Sequence, residues 1–549
     1  MKRTIMIAGA LLIAAVCLYA NGGGEEVAMV ETGVDGNFNA TGFPIVKDKV
    51  TLHVITKQLP NMTDMKDNAF LAWYEEKTNV HIDVETVAKE GAKEKRNLIL
   101  ASGAYPGIFL NMDIKPDIEM QYAPQGVFHP LNGLIQDYGV NLKQIFEEKP
   151  YIRKLITNPD GNIYALPGVS ESTNNALKYR CHINMVWLDE VGMDIPTTTD
   201  ELYDVLKAFK SRDPNGNGLD DEIPLAGAKT TGRESLPQVW LMAPFILNDP
   251  KDHMVVENGK VRLAAVQPEY REGLRWIHKL HEEGLFDGES FTRDSDQLEQ
   301  LASKDGEEVL GCAVCKSYYM IMDRASERAK HWVFVPPLVG PNGDQHVWYD
   351  TSSLMRGKFA VTDRCDHPEA ALRWADWMYS EEGTTRAFYG FEEGVNWYRP
   401  PAVTPSKGGE GDAKYARPAG WTVPELDSDL LGNNGLFYLT EAYVGSWEAD
   451  PNDMVRLRLN AVYKAYEPAA KKDSQSILPD MYLTVEESSE IGLLQTPINA
   501  YIDQSFARFV IVDLDIEEDW HDYVKSLEKM NTGRLLEIYQ KNVDIFNRG

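Results

Sequence analysis

The chain of 549 residues exceeds what one compact core usually holds, and its 84 acidic against 55 basic residues give a formal charge of −29. That field excludes nucleic acid and anionic membrane surfaces as general partners, since both select basic patches. It also disfavours a polyanionic substrate unless a local basic pocket overrides it. Five cysteines are too few for disulfides to hold the fold, so core burial must do so.

In chain order, Met1-Lys2-Arg3 and the apolar run Ile5 to Leu18 read as a signal peptide over residues 1–20. The run is shorter than the ~20 residues of a membrane-spanning helix. Leu18-Tyr19-Ala20 offers a cleavage site, and lipidation at Cys17 is the alternative, with Val16 standing where a small residue is usual. The mature protein is then exported, either periplasmic or lipid-anchored to the outer face of the cytoplasmic membrane. Residues 21–48 read as a flexible tether, rich in Gly, Glu and small side chains.

From Val50 the patterns alternate: a strand at Val50, a helix from Phe70, a strand from Val80, a helix over Glu94 to Ala101, and a short strand at Ile108. This is the grammar of an α/β unit. Asn158-Pro-Asp-Gly marks a turn before a strand from Asn162. A second α/β unit follows: a strand at Tyr179, a helix capped by Thr199, an amphipathic helix over Tyr270 to Glu283, and a strand at Trp332. A helix over Pro368 to Tyr379 and a long amphipathic helix over Trp520 to Phe546 complete the reading.

Five segments, by their order and spacing, carry a resemblance. They are Asp160-Gly-Asn-Ile-Tyr-Ala-Leu-Pro, Trp187-Leu-Asp-Glu-Val-Gly-Met-Asp-Ile-Pro-Thr-Thr, Glu282-Glu-Gly-Leu-Phe, His367-Pro-Glu-Ala-Ala-Leu-Arg-Trp and Tyr389-Gly-Phe-Glu-Glu-Gly-Val-Asn-Trp. With them the chain resembles the extracellular solute-binding proteins of carbohydrate ABC importers, in the branch of lipoproteins and alginate-oligosaccharide binders. Gly107 departs from the family, which often carries Asp there. The resemblance implies a periplasmic-binding-protein-like fold of type II, two α/β lobes joined by a hinge that the chain crosses several times. Crossings expected near Ile163 to Leu166, Val333 to Pro337 and Gly394 to Trp397 give lobe I as 49–165 plus 334–394 and lobe II as 166–333 plus 395–549. It further implies a carbohydrate held in the interlobe cleft, an ABC permease as membrane partner, a monomer, and no catalysis.

The sharpest local motif is Asp213-Pro-Asn-Gly-Asn-Gly-Leu-Asp-Asp-Glu. Oxygen side chains at Asp213, Asn215 and Asn217, the sharp-turning Gly218 and the Leu219 carbonyl follow the spacing of a calcium loop. Pro224 stands where an EF-hand has its closing Glu, so Asp221 and Glu222 would close the set. The resemblance implies the same structural Ca²⁺, since alginate-binding relatives carry one in such a loop.

Sugars present polar edges and apolar faces, so their sites combine flat aromatic rings with carboxylates and amides. With 12 Trp and 25 Tyr available, the candidates are Trp397 and Tyr398 first, then Tyr318 and Tyr319, then Tyr179, Trp240, Trp348 and Tyr349. Asp113, Asp350 and Glu393 are candidate acceptors for sugar hydroxyls. Cys312-Ala-Val-Cys315 lacks a second pair or a histidine cluster, which leaves a local disulfide or two buried thiols. The rival readings are an exported glycan-active enzyme and a binding protein for a peptide or other solute. No nucleophile elbow, HExxH or P-loop pattern supports the first.

Overall fold

A computed structural model describes residues 36–549, except 60–61, 172–175, 230–234, 304–307, 324–325, 351–353, 408–410, 419–426, 450–461, 463, 471–477, 479–481, 512 and 549. The segment read as a signal peptide, Cys17 and the first part of the expected tether lie outside the described residues. The rest of the tether does not behave as one: Phe38, Ile45 and Val46 are buried in the first core. Order therefore begins about a dozen residues before the strand pattern that was expected to open it.

Among the described residues, twelve strands form two principal sheets and a hairpin. The first sheet holds β1 (Val50–Gln58), β2 (Val80–Ala88), β3 (Ile108–Leu110), β4 (Ala165–Ser170), β11 (Leu354–Val361) and β12 (Tyr438–Leu439), in the order β12-β4-β11-β3-β1-β2. The second holds β5 (Cys181–Asn184), β6 (Ile223–Ala226), β9 (Leu310–Val314) and β10 (Trp332–Phe334), in the order β10-β5-β9-β6. β7 (Met254–Glu257) and β8 (Lys260–Leu263) pair as the hairpin. β1 runs parallel to β2 and β3, whereas β11 is antiparallel to both β3 and β4.

The central strands of both principal sheets bury both faces and read as apolar runs, whereas the edge strand β2 and the first half of β1 alternate buried with exposed residues. Successive side chains of a strand point to opposite faces. Accordingly Leu52 and Val54 enter one core, while the neighbouring Ile55 joins Phe109 and Ala360 in another. In the second sheet Cys312 and Val314 enter the core shared with Cys181, while Ala313 and Cys315 enter the opposite one. Cys312 and Cys315 are thus free thiols in different cores, and a local disulfide between them is ruled out.

Two elements differ from expectation and one was not foreseen. The helix Thr199–Ser211 is capped by Thr198, whose hydroxyl accepts from the Glu201 amide at 3.1 Å, not by Thr199. The C-terminal stretch is two helices, Trp520–Lys529 and Thr532–Arg548, broken where Asn531 takes φ +67°. The 26-residue helix Val485–Val510 escaped sequence reading because Pro497 lies inside it and its apolar residues do not keep to one face. The division between the sheets also differs. β4 and β12 both belong to the first sheet, and Trp397 packs with Phe437 and Tyr443 beside β12. The described residues between 395 and 449 therefore side with the first sheet, while the Val485–Val510 helix enters the second core through Ile498 and Ile502. No helix among the described residues is long and apolar enough to cross a membrane.

Candidate functional site

In open α/β sheets ligands bind outside the carboxyl ends of the strands, because loops converge there. Here a cavity of about 800 Å³ lies at that edge of both sheets. Lys57 near the end of β1, Asn111 and Asp113 after β3 and Glu171 after β4 reach it from the first sheet. Lys178 before β5 and Lys316 after β9 reach it from the second, and Ser488 on the Val485–Val510 helix meets it from the side.

The floor is built by an irregularity in β11. Met355 pairs with Gly168 and Phe359 with Leu166, so β11 carries two more residues than β4 over this stretch. At its centre Gly357 takes φ +69°, and a Cβ there would lie 2.1 Å from the Ile114 carbonyl oxygen. Only glycine fits both the backbone angle and the approach. The Gly357 carbonyl accepts from the Ile114 amide at 3.0 Å, and the flanking Lys358 carbonyl accepts from Asn111. Arg356 and Lys358, one on each side of Gly357, both line the cavity.

The cavity's charges are arranged in pairs and exceptions. Lys57 donates to Asp113 at 2.6 Å, Lys178 to Asp350 at 2.5 Å, and Lys149 to Glu171. Lys358 is buried and donates to the Asn433 carbonyl; burial, reinforced by the charge of Lys57, pushes its pKa down to about 7. Arg356 is also buried, its guanidinium 4.4 Å from the Tyr482 ring centroid, and both terminal nitrogens are without a hydrogen-bond partner. Behind it, burial raises Glu119 to about 7 despite a hydrogen bond from Asn158 and the attraction of Arg356.

Of the sequence candidates, the cavity brings together Asp113, Tyr349 and Asp350. Tyr179, Trp240 and Trp348 gather elsewhere, around a crevice of about 10 Å³, too small for a sugar. Tyr318 and Tyr319 pack under the second sheet with Cys315 and Trp332. Trp397 is fully buried, its indole N–H donating to the Gly390 carbonyl at 2.8 Å, so its faces are not available for stacking. Tyr398 lies beside it with its hydroxyl 3.4 Å from Glu448, and Glu393 pairs with Arg399 at the surface. Sequence reasoning missed the lysines and Arg356. The available signal was Arg356-Gly-Lys358 inside an otherwise apolar strand, where two cations are expensive without a purpose.

The acidic loop folds compactly. Gly216 and Gly218 take positive φ, and the Asp213 carboxylate accepts from the Asn217 and Gly218 amides at 3.1 and 2.9 Å. The Asp221 carboxylate accepts from the side chains of Asn215 and Asn217. Leu219 is exposed, its amide bonded to the Asn217 side chain at 2.7 Å. No group of three or more His, Cys, Asp or Glu side chains is drawn together at metal spacing among the described residues. The donor set nonetheless fits a hard cation: Glu222 Oε1 is buried with no partner, and burial together with Asp213, Asp221 and Asp220 raises its pKa.

The model of the bacterial extracellular solute-binding protein family matches residues 58–385. The chain is similar to the fructooligosaccharide ABC transporter substrate-binding protein FusA of Streptococcus pneumoniae, at 30% identity over 99% of this chain and 98% of that protein. A structure of FusA with kestose superposes with a TM-score of 0.70, covering 91% of this chain and all of the other. Another FusA structure, with the same TM-score, is of an EF-hand mutant. Two Bacillus subtilis proteins are also similar. Lipoprotein LipO is 28% identical over 54% of this chain and 57% of its own length. The polygalacturonan/rhamnogalacturonan-binding protein YtcQ is 24% identical over 85% and 86%. The type II α/β solute-binding fold expected from the sequence is the one the chain shares with FusA.

Proposed function

Because the chain belongs to the bacterial extracellular solute-binding proteins, we propose that it captures an oligosaccharide between its two sheets and delivers it, unaltered, to an ABC permease. The observation that carries this reading is the 800 Å³ cavity lined from the carboxyl ends of both sheets. A ligand there touches both lobes at once, so it stabilises a closed arrangement by the contacts made only in that state. The relatives' names support glycans as the class, one neutral and one acidic.

The reading includes export, with a lipid at Cys17 or cleavage after Ala20, and a monomeric binding unit. It also includes a structural Ca²⁺ held by Asp213, Asn215, Asn217, the Leu219 carbonyl, Asp221 and Glu222. The cation would neutralise the carboxylates that now repel one another and tie the loop to β6. Titration calorimetry against a panel of neutral oligofructosides, oligogalacturonates and peptides, with a product assay and small-angle scattering on every hit, tests the function. Saturable glycan binding with a smaller radius of gyration and no product is expected. Turnover of a bound glycan, or binding of peptides alone, overturns it.

A further inference from the structure

A chain of net charge −29 presents a cavity that, among its described residues, has seven lysine or arginine side chains against four carboxylates. The sign of the cavity is therefore opposite to that of the molecule. Three of the four carboxylates, Asp113, Glu171 and Asp350, are already held by Lys57, Lys149 and Lys178. The two lining cations that are buried and in no ion pair lie on the floor. Arg356 is more than nine-tenths buried with neither terminal nitrogen hydrogen-bonded, and Lys358 is 5% exposed with a backbone carbonyl as its recorded partner. Burying a cation without an ion-pair partner is costly, and two of them flanking one glycine are kept where something offsets that cost. Tyr349 is the one aromatic ring among the described lining residues, so stacking on sugar faces is a minor part of this surface.

We infer that the oligosaccharide captured here is acidic, and that a negatively charged substituent on it docks between Arg356 and Lys358 on the β11 bulge. The inference rests on the glycan reading proposed above and narrows it. Guanidinium and ammonium groups serve a uronate carboxylate and a sulfate ester alike, so the shared requirement is an anion fixed on a sugar ring. The site is also proton-linked. Lys358 faces Lys57 from β1 and Asp113 from the loop after β3, and its ammonium is held only weakly at neutral pH in the free protein. Arg356 is faced by Glu119 on the helix Pro116–Tyr122, which gains its negative charge as pH rises. Both changes make the floor less positive at higher pH, so acidic glycans bind with proton uptake and release more readily in alkali.

The test is calorimetric titration of the intact mature chain with trigalacturonate, a sulfated disaccharide and kestose at pH 6, 7.5 and 9. The expected result is that at least one acidic glycan binds more tightly than kestose. Its affinity falls at least tenfold from pH 6 to 9, and proton uptake is detected from the dependence on buffer ionisation heat. The two acidic arms distinguish carboxylate from sulfate. Arg356→Gln and Lys358→Met weaken that glycan by roughly 30-fold or more while Arg356→Lys retains part of the affinity. The wild-type pH and salt dependence stands even if a variant folds poorly. Kestose binding as tightly as the acidic glycans, or acidic binding indifferent to pH and salt, overturns the inference and leaves glycan capture intact. Binding of no glycan in the panel overturns both.

Discussion

Replacing Trp397 by phenylalanine separates two roles that sequence alone leaves entangled. The ring is fully buried, lies edge-on to Tyr415 at 5.6 Å between centroids, and donates to the Gly390 carbonyl. Phenylalanine keeps an apolar ring but removes the donor, leaving a buried carbonyl unpaired at about 1–3 kcal/mol. The smaller ring leaves a void that adds about 1–2 kcal/mol. A loss of roughly 2–5 kcal/mol is therefore expected, equivalent to a fall in Tm of about 5–15 °C for a lobe of this size. Differential scanning calorimetry measures the first quantity, and titration with the best glycan of the panel measures affinity, expected to change less than twofold. Unchanged thermal stability with tenfold weaker binding would show that the indole touches ligand, and the burial argument would be wrong.

Three further outcomes follow from the same geometry. Gly357→Ala forces a Cβ to 2.1 Å from the Ile114 oxygen at a left-handed φ; denaturant titration should show a loss of at least about 2 kcal/mol, with weaker glycan binding as the bulge shifts. Chelation of the purified protein should lower its Tm, by the equivalent of about 2.7 kcal/mol if calcium had stood at 100 times its Kd, and Asp213→Ala should abolish that response; elemental analysis without calcium contradicts it. For Glu119, the folded pKa near 7 lies above the ordinary carboxylate value. Its contribution is complete below about pH 4.5 and is lost as pH rises through 7, up to about 3 kcal/mol. Glu119→Gln should therefore flatten the decline in stability between pH 5 and 8, leaving the share of Asp252, which burial also raises to about 7.

The elements that were legible are those whose side-chain period is set locally. β1, β2 and β3 alternate or run apolar where expected, and the helices Thr199–Ser211 and Pro268–Glu282 show their apolar stripes. The turn in the Asp213 loop was legible for the same reason, because Gly216 and Gly218 fix it within a short contiguous segment. The Val485–Val510 helix was not, since its burial is decided by the second lobe it packs on and not by an internal stripe. Aromatic residues misled in a consistent way. Large rings are abundant in both cores and clefts, and Trp397, Trp240 and Tyr318 bury themselves where the sequence offers no clue to which way they turn.

Local composition by itself determined that the chain is an acidic, two-unit α/β protein, and the order of its motifs determined the family. Those properties are carried by periodicity and by short contiguous segments, which need no knowledge of distant contacts. The folded chain alone decided that the described residues between 395 and 449 side with the first sheet, that Trp397 is core, and that cations nearly three hundred residues apart meet over one cavity. A net charge sums over every residue and says nothing about position, whereas the field a ligand feels depends on which charges converge within a Debye length of it. Convergence of that kind is a property of strand order and of one glycine bulge.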